Sequence, residues 1–256
     1  MDDKLLVEQR GALLWVTFNR PEKANALTGD MLQRAADAIV AAGHNADVRA
    51  VLVSGTGECF FSAGVDVREK PEDGDEAAHK ERRSAAHAAF QDALIDVEKP
   101  VVAVLNGTAI GGGAMWALLA DACVAVDSAE LSLPEIDIGI ATFSGANILE
   151  VLGGRALALD LIQSGRRMPA REAQLRGLIN AVAARDDLPQ TAAGLAEILG
   201  SKHRQAFADN KRWINRSLKT ALAEAQRGAC AAPRSGRPLA SKTHTGDQTW
   251  LILKFR

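Results

Sequence analysis

The chain has 256 residues, 47% of them hydrophobic and 24% charged, and a formal net charge of −2, a balance that suits a globular protein able to bury a full core. No apolar run approaches the roughly 20 residues of a membrane span, and Met1-Asp2-Asp3-Lys4 opens neither a signal nor a transit pattern, so a cytoplasmic protein is expected. Cys59, Cys123 and Cys230 are odd in number and show no paired spacing, which argues against a disulfide framework.

In chain order, residues 12–18 read as a strand. Thr28 is placed to cap an amphipathic helix through Val40, with Met31, Leu32, Ala35, Ile39 and Val40 on its apolar side. A strand follows at 50–54, and then the segment Phe61-Ser62-Ala63-Gly64-Val65-Asp66-Val67. Charges concentrated in 68–76 break the pattern and predict a mobile loop over 68–87 that enters a helix near Ala77. An apolar strand at 101–106 leads into Asn106-Gly107-Thr108-Ala109-Ile110-Gly111-Gly112-Gly113-Ala114-Met115 and a helix over 112–120. Strands at 123–127 and 131–133 and helices at 145–152 and 156–163 continue a βα alternation, the pattern of stacked sheets covered by helices. Pro169 starts a further helix that Gly177 ends, and a short strand is expected at 179–182. From Pro189 on only helices are expected, at 189–199 and 204–226, with Phe207, Trp213, Ile214 and Leu218 to pack them. Little periodicity remains over 228–248, which reads as flexible, while 249–255 suits a strand or packed end. No strict internal repeat is visible.

The two glycine-bearing segments each follow a strand-like run and offer backbone amides with little side chain in the way. Gly111 to Gly113 open directly into a helix, so unpaired amides and the positive end of a helix dipole meet at one point, which suits a developing negative charge. Two amides from separate loops could hold the enolate formed when a proton leaves the carbon beside a thioester. By themselves, the same glycines equally suit a tight turn and close helix packing.

Four motifs in order, namely Val16-Thr17-Phe18-Asn19-Arg20-Pro21 with Ala24-Asn25-Ala26-Leu27, the two loops above, and Leu133-Pro134-Glu135-Ile136-Asp137-Ile138-Gly139, resemble the crotonase (enoyl-CoA hydratase/isomerase) superfamily from residue 4 to about 226. The resemblance implies an α/β fold, a spiral of β-β-α turns over residues 1–188 that binds acyl-CoA, a helical region over 189–227 that makes subunit contacts in a homotrimer or hexamer, and an atypical tail over 228–256. It implies the amides of Val65 and Gly112 as the oxyanion pair and Glu135 as the catalytic carboxylate. It also implies a coenzyme A cradle at Ala24, Ala26, Ala63, Asp66 and Val67, to which Arg20 and Lys23 could add phosphate charge. Coenzyme A enters as part of the substrate, with no other cofactor implied.

One position departs from the family's hydratases, which carry a second glutamate where this chain has Met115, and a thioether cannot act as a base at neutral pH. The family's Δ3-Δ2 enoyl-CoA isomerases keep only the later glutamate, so isomerisation is the expected activity, with Met115 and Phe143 lining the acyl pocket. A hydratase, an acyl-CoA hydrolase or a decarboxylase remains an alternative, as does a CoA- or RNA-binding protein without chemistry. Nucleic acid is the less expected partner, although residues 202–256 carry a net +9 against −11 for the rest. The five histidines show no metal-ligand spacing, and no metal is expected. Trp213 is expected to pack, and Trp116, one residue past the altered position, either to pack or to line the acyl pocket.

Overall fold

The computed structural model describes residues 3–71 and 74–231. An antiparallel pair, β1 (Leu5–Arg10) and β2 (Leu13–Phe18), begins a sheet that β3 (Ala50–Gly55), β5 (Val101–Leu105), β7 (Ala122–Val126) and β10 (Ala181–Ala183) extend in parallel, in the order β1-β2-β3-β5-β7-β10. A second sheet is built from β4 (Phe60–Ser62), β6 (Thr108–Ile110), β8 (Glu130–Ser132) and β9 (Met168–Pro169); β4, β6 and β8 are parallel and β9 is antiparallel.

The chain alternates between the two sheets. β3 and β4 lead to α2 (Glu76–Asp96), β5 and β6 to α3 (Gly112–Leu119), and β7 and β8 to α4 (Phe143–Ser164). These are the successive β-β-α turns implied by the resemblance, followed by α5 (Ala170–Leu175) and a helical end of α6 (Leu188–Gly200), α7 (Arg204–Ile214) and α8 (Arg216–Ala231). All of Val-Val-Ala-Val-Leu in β5 is buried, as a central parallel strand covered on both faces requires. α6 packs across β3, β5 and β7 on one side, and α3 lies against β4, β5 and β6 on the other.

Local signals account for the helix starts. α1 (Gly29–His44) is capped by the Thr28 hydroxyl, which accepts from Met31 N at 3.3 Å, and α2 by Asp75, which accepts from Ala77 N and Ala78 N. α4 contains the two helices expected over 145–152 and 156–163, broken at Gly154 with φ +79° and ψ 168°. α3 is apolar all round because it is enclosed on every side.

Several expectations require correction. β1, β4 and β6 fall where no strand was read; β4 and β6 have three residues each, too few for a period of two to register. The strand expected at 179–182 forms at 181–183, because Asn180 is taken up bonding Cys123 through main chain and side chain. The stretch 204–226 is two helices that meet at Asn215, and the second continues beyond 227 to Ala231. Val40 is 50% exposed rather than on the apolar face of α1, and Trp213 and Ile214 are 69% and 70% exposed. The flexible stretch expected over 228–248 and the packed end at 249–255 lie outside the described residues, apart from 228–231 at the end of α8. Among the described residues no helix is long and apolar enough to cross a membrane.

A buried lysine joins the helical end to the spiral. Lys211 of α7 donates to Leu94 O at 3.0 Å, Lys99 O at 3.2 Å and the Asp121 carboxylate at 2.7 Å, and Asp121 also accepts from Val101 N at 2.8 Å. Burial pushes the Asp121 carboxyl up and the Lys211 ammonium down, and the attraction between them opposes both shifts. Lys211→Ala leaves Asp121 buried and unpaired, so urea unfolding is expected to show a loss of about 3–5 kcal/mol.

Candidate active site

β4, β6 and β8 are neighbouring parallel strands, so the segments leaving their C-terminal ends emerge side by side at one edge of the second sheet. Every residue singled out for chemistry lies on one of these three segments or on the turn at 20–27 that packs beneath them.

The segment after β4 is held by a buried hydrogen-bond lattice. Ser62 Oγ donates to Asn25 O at 2.8 Å and accepts from Gly64 N at 3.0 Å. Asn25, fully buried, donates to Thr56 O and Phe60 O and accepts from Arg20 N. Main-chain bonds from Ala63 N to Ala24 O, from Leu27 N to Gly64 O and from Asp66 N to Leu27 O complete the lattice. Ala24 and Asn25 both adopt φ +51°, a left-handed conformation that costs a non-glycine residue energy and persists because Asn25 is bonded on every side. Within this lattice Val65 N donates to no other described residue.

The segment after β6 meets the first at close range. Gly111 adopts φ +53° and ψ −121°, open only to glycine, and donates its N–H to Ser132 O at 2.8 Å at the head of the third segment. A methyl group on Gly113 would lie 2.3 Å from Ser62 O, and one on Gly64 would lie 2.8 Å from Gly112 N. A methyl on Gly112 would lie 3.5 Å from Val65 N, which sets the two candidate oxyanion amides beside each other. Gly112 begins α3, and its N–H also has no acceptor among the described residues, so the helix dipole adds to the positive potential there.

Glu135 stands on the third segment, in the 3-10 turn Pro134–Ile138 after β8. That turn is closed by Gly139 N donating to Ile136 O and Ile140 N donating to Glu135 O. The carboxylate faces the glycines: a methyl on Gly111 would lie 3.0 Å from Glu135 Oε1. Oε2 is buried without a hydrogen-bond partner, and burial holds the Glu135 carboxyl above its ordinary range. A carboxylate so placed can take a proton and return it.

The remaining expected residues divide by position. Ala24, Ala26 and Ala63 line the turn and the first segment, half-buried, where small side chains allow close approach to the main chain. Asp66 is committed to holding the loop: Oδ2 accepts from Arg20 at 3.0 Å, Oδ1 from Arg68 N at 3.0 Å, and its carbonyl from Arg83 at 3.2 Å. Arg20, expected to offer phosphate charge, is turned inward to Asp66 and to Ala26 O at 2.7 Å. Val67 is 70% exposed at the rim. Met115 is buried in the first turn of α3, and Trp116 packs against Phe18, Phe90 and His87. Phe143 begins α4 beside α8, where a methyl on Gly228 would touch it at 4.0 Å. Sequence reading assigned no role to Asn25 or Ser62, though both stand inside the quoted motifs. The partners that tie them to the rest of the site are 31 to 37 residues away, beyond the reach of local pattern.

The family model described as enoyl-CoA hydratase/isomerase matches residues 8–231. YngF of Bacillus subtilis, whose name places it among the enoyl-CoA hydratases/isomerases, is 36% identical over 224 residues, 87% of this chain and 85% of that protein. A carnitinyl-CoA dehydratase of Salmonella enteritidis is 34% identical, over 81% of this chain and 78% of that protein. Among solved structures, an enoyl-CoA hydratase from Bacillus anthracis superposes with TM-score 0.77 at 26% identity, over 90% of this chain and 92% of that one. One from Mycobacterium avium subsp. paratuberculosis does so with TM-score 0.77 at 29% identity, over 90% and 95%.

The raised proton affinity of Glu135 makes a stability prediction. Its folded pKa lies above the unfolded value, so ionised Glu135 opposes folding above the folded pKa, and this cost fades as pH falls through that pKa and is gone below the ordinary carboxylate range. Glu135→Gln is therefore expected to melt higher than the parent at pH 7, with the advantage disappearing at about pH 3.5; paired thermal melts at the two pH values check it.

Proposed function

The chain belongs to the enoyl-CoA hydratase/isomerase family, and we propose that its own reaction is the Δ3-to-Δ2 shift of an enoyl-CoA double bond, with Glu135 as the single proton carrier. The carrying observation is the pairing of Glu135 beside Gly111 with a buried methionine at 115. One group able to exchange a proton at neutral pH is present where hydration calls for two.

In this reading the thioester oxygen lies between Val65 N–H and Gly112 N–H. Glu135 takes a proton from C2, the electron pair spreads over C2, C4 and the thioester oxygen, and the two amides hold the charge on that oxygen. The same carboxyl returns the proton to C4, so the double bond moves from C3–C4 to C2–C3 and no water or co-reactant is consumed. Desolvation suits both halves of the cycle, because a carboxylate of raised proton affinity is the stronger base and stays close in pKa to a carbon acid stabilised as its enolate. The adjoining amides and the α3 dipole supply the charge stabilisation that such sites rely on most.

The names of the similar hydratases and of the carnitinyl-CoA dehydratase favour hydration as a second reading. It asks the protein to activate water with a group other than residue 115.

Product analysis with matched 3-enoyl- and 2-enoyl-CoA substrates of several chain lengths separates the readings. Bond migration without hydration or release of free CoA is the expected result, and hydration by the unmodified protein would sink the single-carboxylate assignment. Glu135→Gln is expected to abolish turnover with acyl-CoA binding nearly intact. Gly64→Ala, which drives a methyl into Gly112 N from a φ of +85°, should lower kcat roughly 100- to 1,000-fold by displacing one oxyanion donor. Met115→Glu should introduce hydration, detected as 3-hydroxyacyl-CoA.

A further inference from the structure

Beside the oxyanion amide lies a polar cluster that the proposed proton transfer does not use. Trp116, 1% exposed, has its indole nitrogen buried without a hydrogen-bond partner, and the same holds for Nε2 of His87 and Nε2 of Gln91 on α2. The three are connected in space. A methyl on Gly112 would lie 3.2 Å from Cζ2 of Trp116, on the indole edge that carries the N–H, so that edge lies against Gly112. The His87 ring meets the Trp116 ring edge-on with centroids 5.8 Å apart, and Gln91 is one helical turn beyond His87 on α2. Phe90 and Phe18 pack the rest of the indole at 5.3 and 6.1 Å.

Buried polar groups in proteins are paired as a rule, and an orphan calls for a reason. Glu135 Oε2 is an orphan of the same kind at the centre of the site. Phenylalanine at 116 and leucine at 87 and 91 would fill an apolar wall without stranding a donor. A pocket built for a plain hydrocarbon chain has no use for an indole N–H, an imidazole and an amide.

We infer that Trp116, His87 and Gln91 form a polar subsite beside the oxyanion amide that selects acyl-CoA substrates bearing an uncharged oxygen, a hydroxyl or carbonyl, a few carbons from the thioester. An indole N–H can only donate, so the group that satisfies it must accept, and an oxygen is the acceptor an acyl chain can carry. Burial keeps His87 neutral, with its pKa pushed down to about 4, and the Arg83 guanidinium, one turn before it, donates to Asp66 O. A carboxylate would lose its hydration there and find no charge on His87 to offset the loss, which leaves the neutral oxygens. A site whose donors are matched by the substrate rejects the analogue that lacks the oxygen, because that analogue leaves them buried and unpaired.

This inference rests on the acyl-CoA reading above, and a binding experiment tells the two apart. Dissociation constants are measured by calorimetry for hexanoyl-CoA and for its 4-, 5- and 6-hydroxy and 5-oxo derivatives, with the full chain and with the Trp116→Phe and His87→Phe variants. At least one oxygenated thioester is expected to bind roughly 10- to 100-fold tighter than hexanoyl-CoA, with the ratio falling towards one in both variants. Should Trp116→Phe not fold, His87→Phe at the half-buried position carries the comparison. Equal affinities across the series, or a preference that survives the variants, overturns the subsite while leaving the acyl-CoA reading in place. Failure of every thioester to bind overturns both.

Discussion

The close approach of two main-chain segments governs this molecule. Ser62 O stands so near Gly113, and Gly64 so near Gly112 N, that a single methyl on Gly113 or on Gly64 would part the segments. With the segments in contact, Val65 N and Gly112 N sit side by side with no acceptor among the described residues. The approach is enforced from below by Asn25 and Ser62, whose buried hydrogen bonds hold the first segment to the 20–27 turn and to the end of β3. The pair of amides is thus fixed before any ligand arrives. That is the condition under which dipoles stabilise developing charge without reorganising.

The architecture explains why three separate stretches of chain converge. Each β-β-α turn places its second strand in the smaller sheet, and β4, β6 and β8 are adjacent and parallel there. Their C-terminal ends share an edge, so equivalent positions of three successive turns supply one amide, a second amide and the carboxylate. The Gly111 N–H to Ser132 O bond joins the second segment to the third as the glycine contacts join the first to the second. Chemistry at the carboxyl ends of parallel strands is a general consequence of such sheets. Here it requires no long loop to reach across the site.

Polar groups are buried here in two different ways. Lys211 and Asp121 are held by several partners each and join the helical end to the spiral. Glu135 and Trp116, which border Gly111 and Gly112, and His87, which packs on Trp116, have buried polar atoms left without a hydrogen-bond partner, as do Gln91, Thr56 and His79. The first group serves the fold. The second lowers its stability, and at Glu135 and Trp116 does so where a substrate would supply the missing partners, the trade-off expected of a preorganised site.

The sequence alone determined the family, the βα alternation, the helix starts at Thr28 and near Ala77, and the places where only glycine or a small residue could stand. Those features are local: a cap, an apolar run and a glycine string declare themselves within a few residues. It also marked Met115 as the departure from the hydratase pattern, since a residue's chemistry is legible wherever it is folded. Only the tertiary structure decided that β4 and β6 are strands, because three residues take their conformation from the neighbouring strand rather than from any pattern of their own. Tertiary structure likewise turned Arg20 inward to Asp66 and Ala26 and left Trp213 and Ile214 exposed. It alone brought His87 of α2 against Trp116 of α3. Charge pairing and burial are set by segments tens of residues apart in sequence, and no local pattern records which of them will meet.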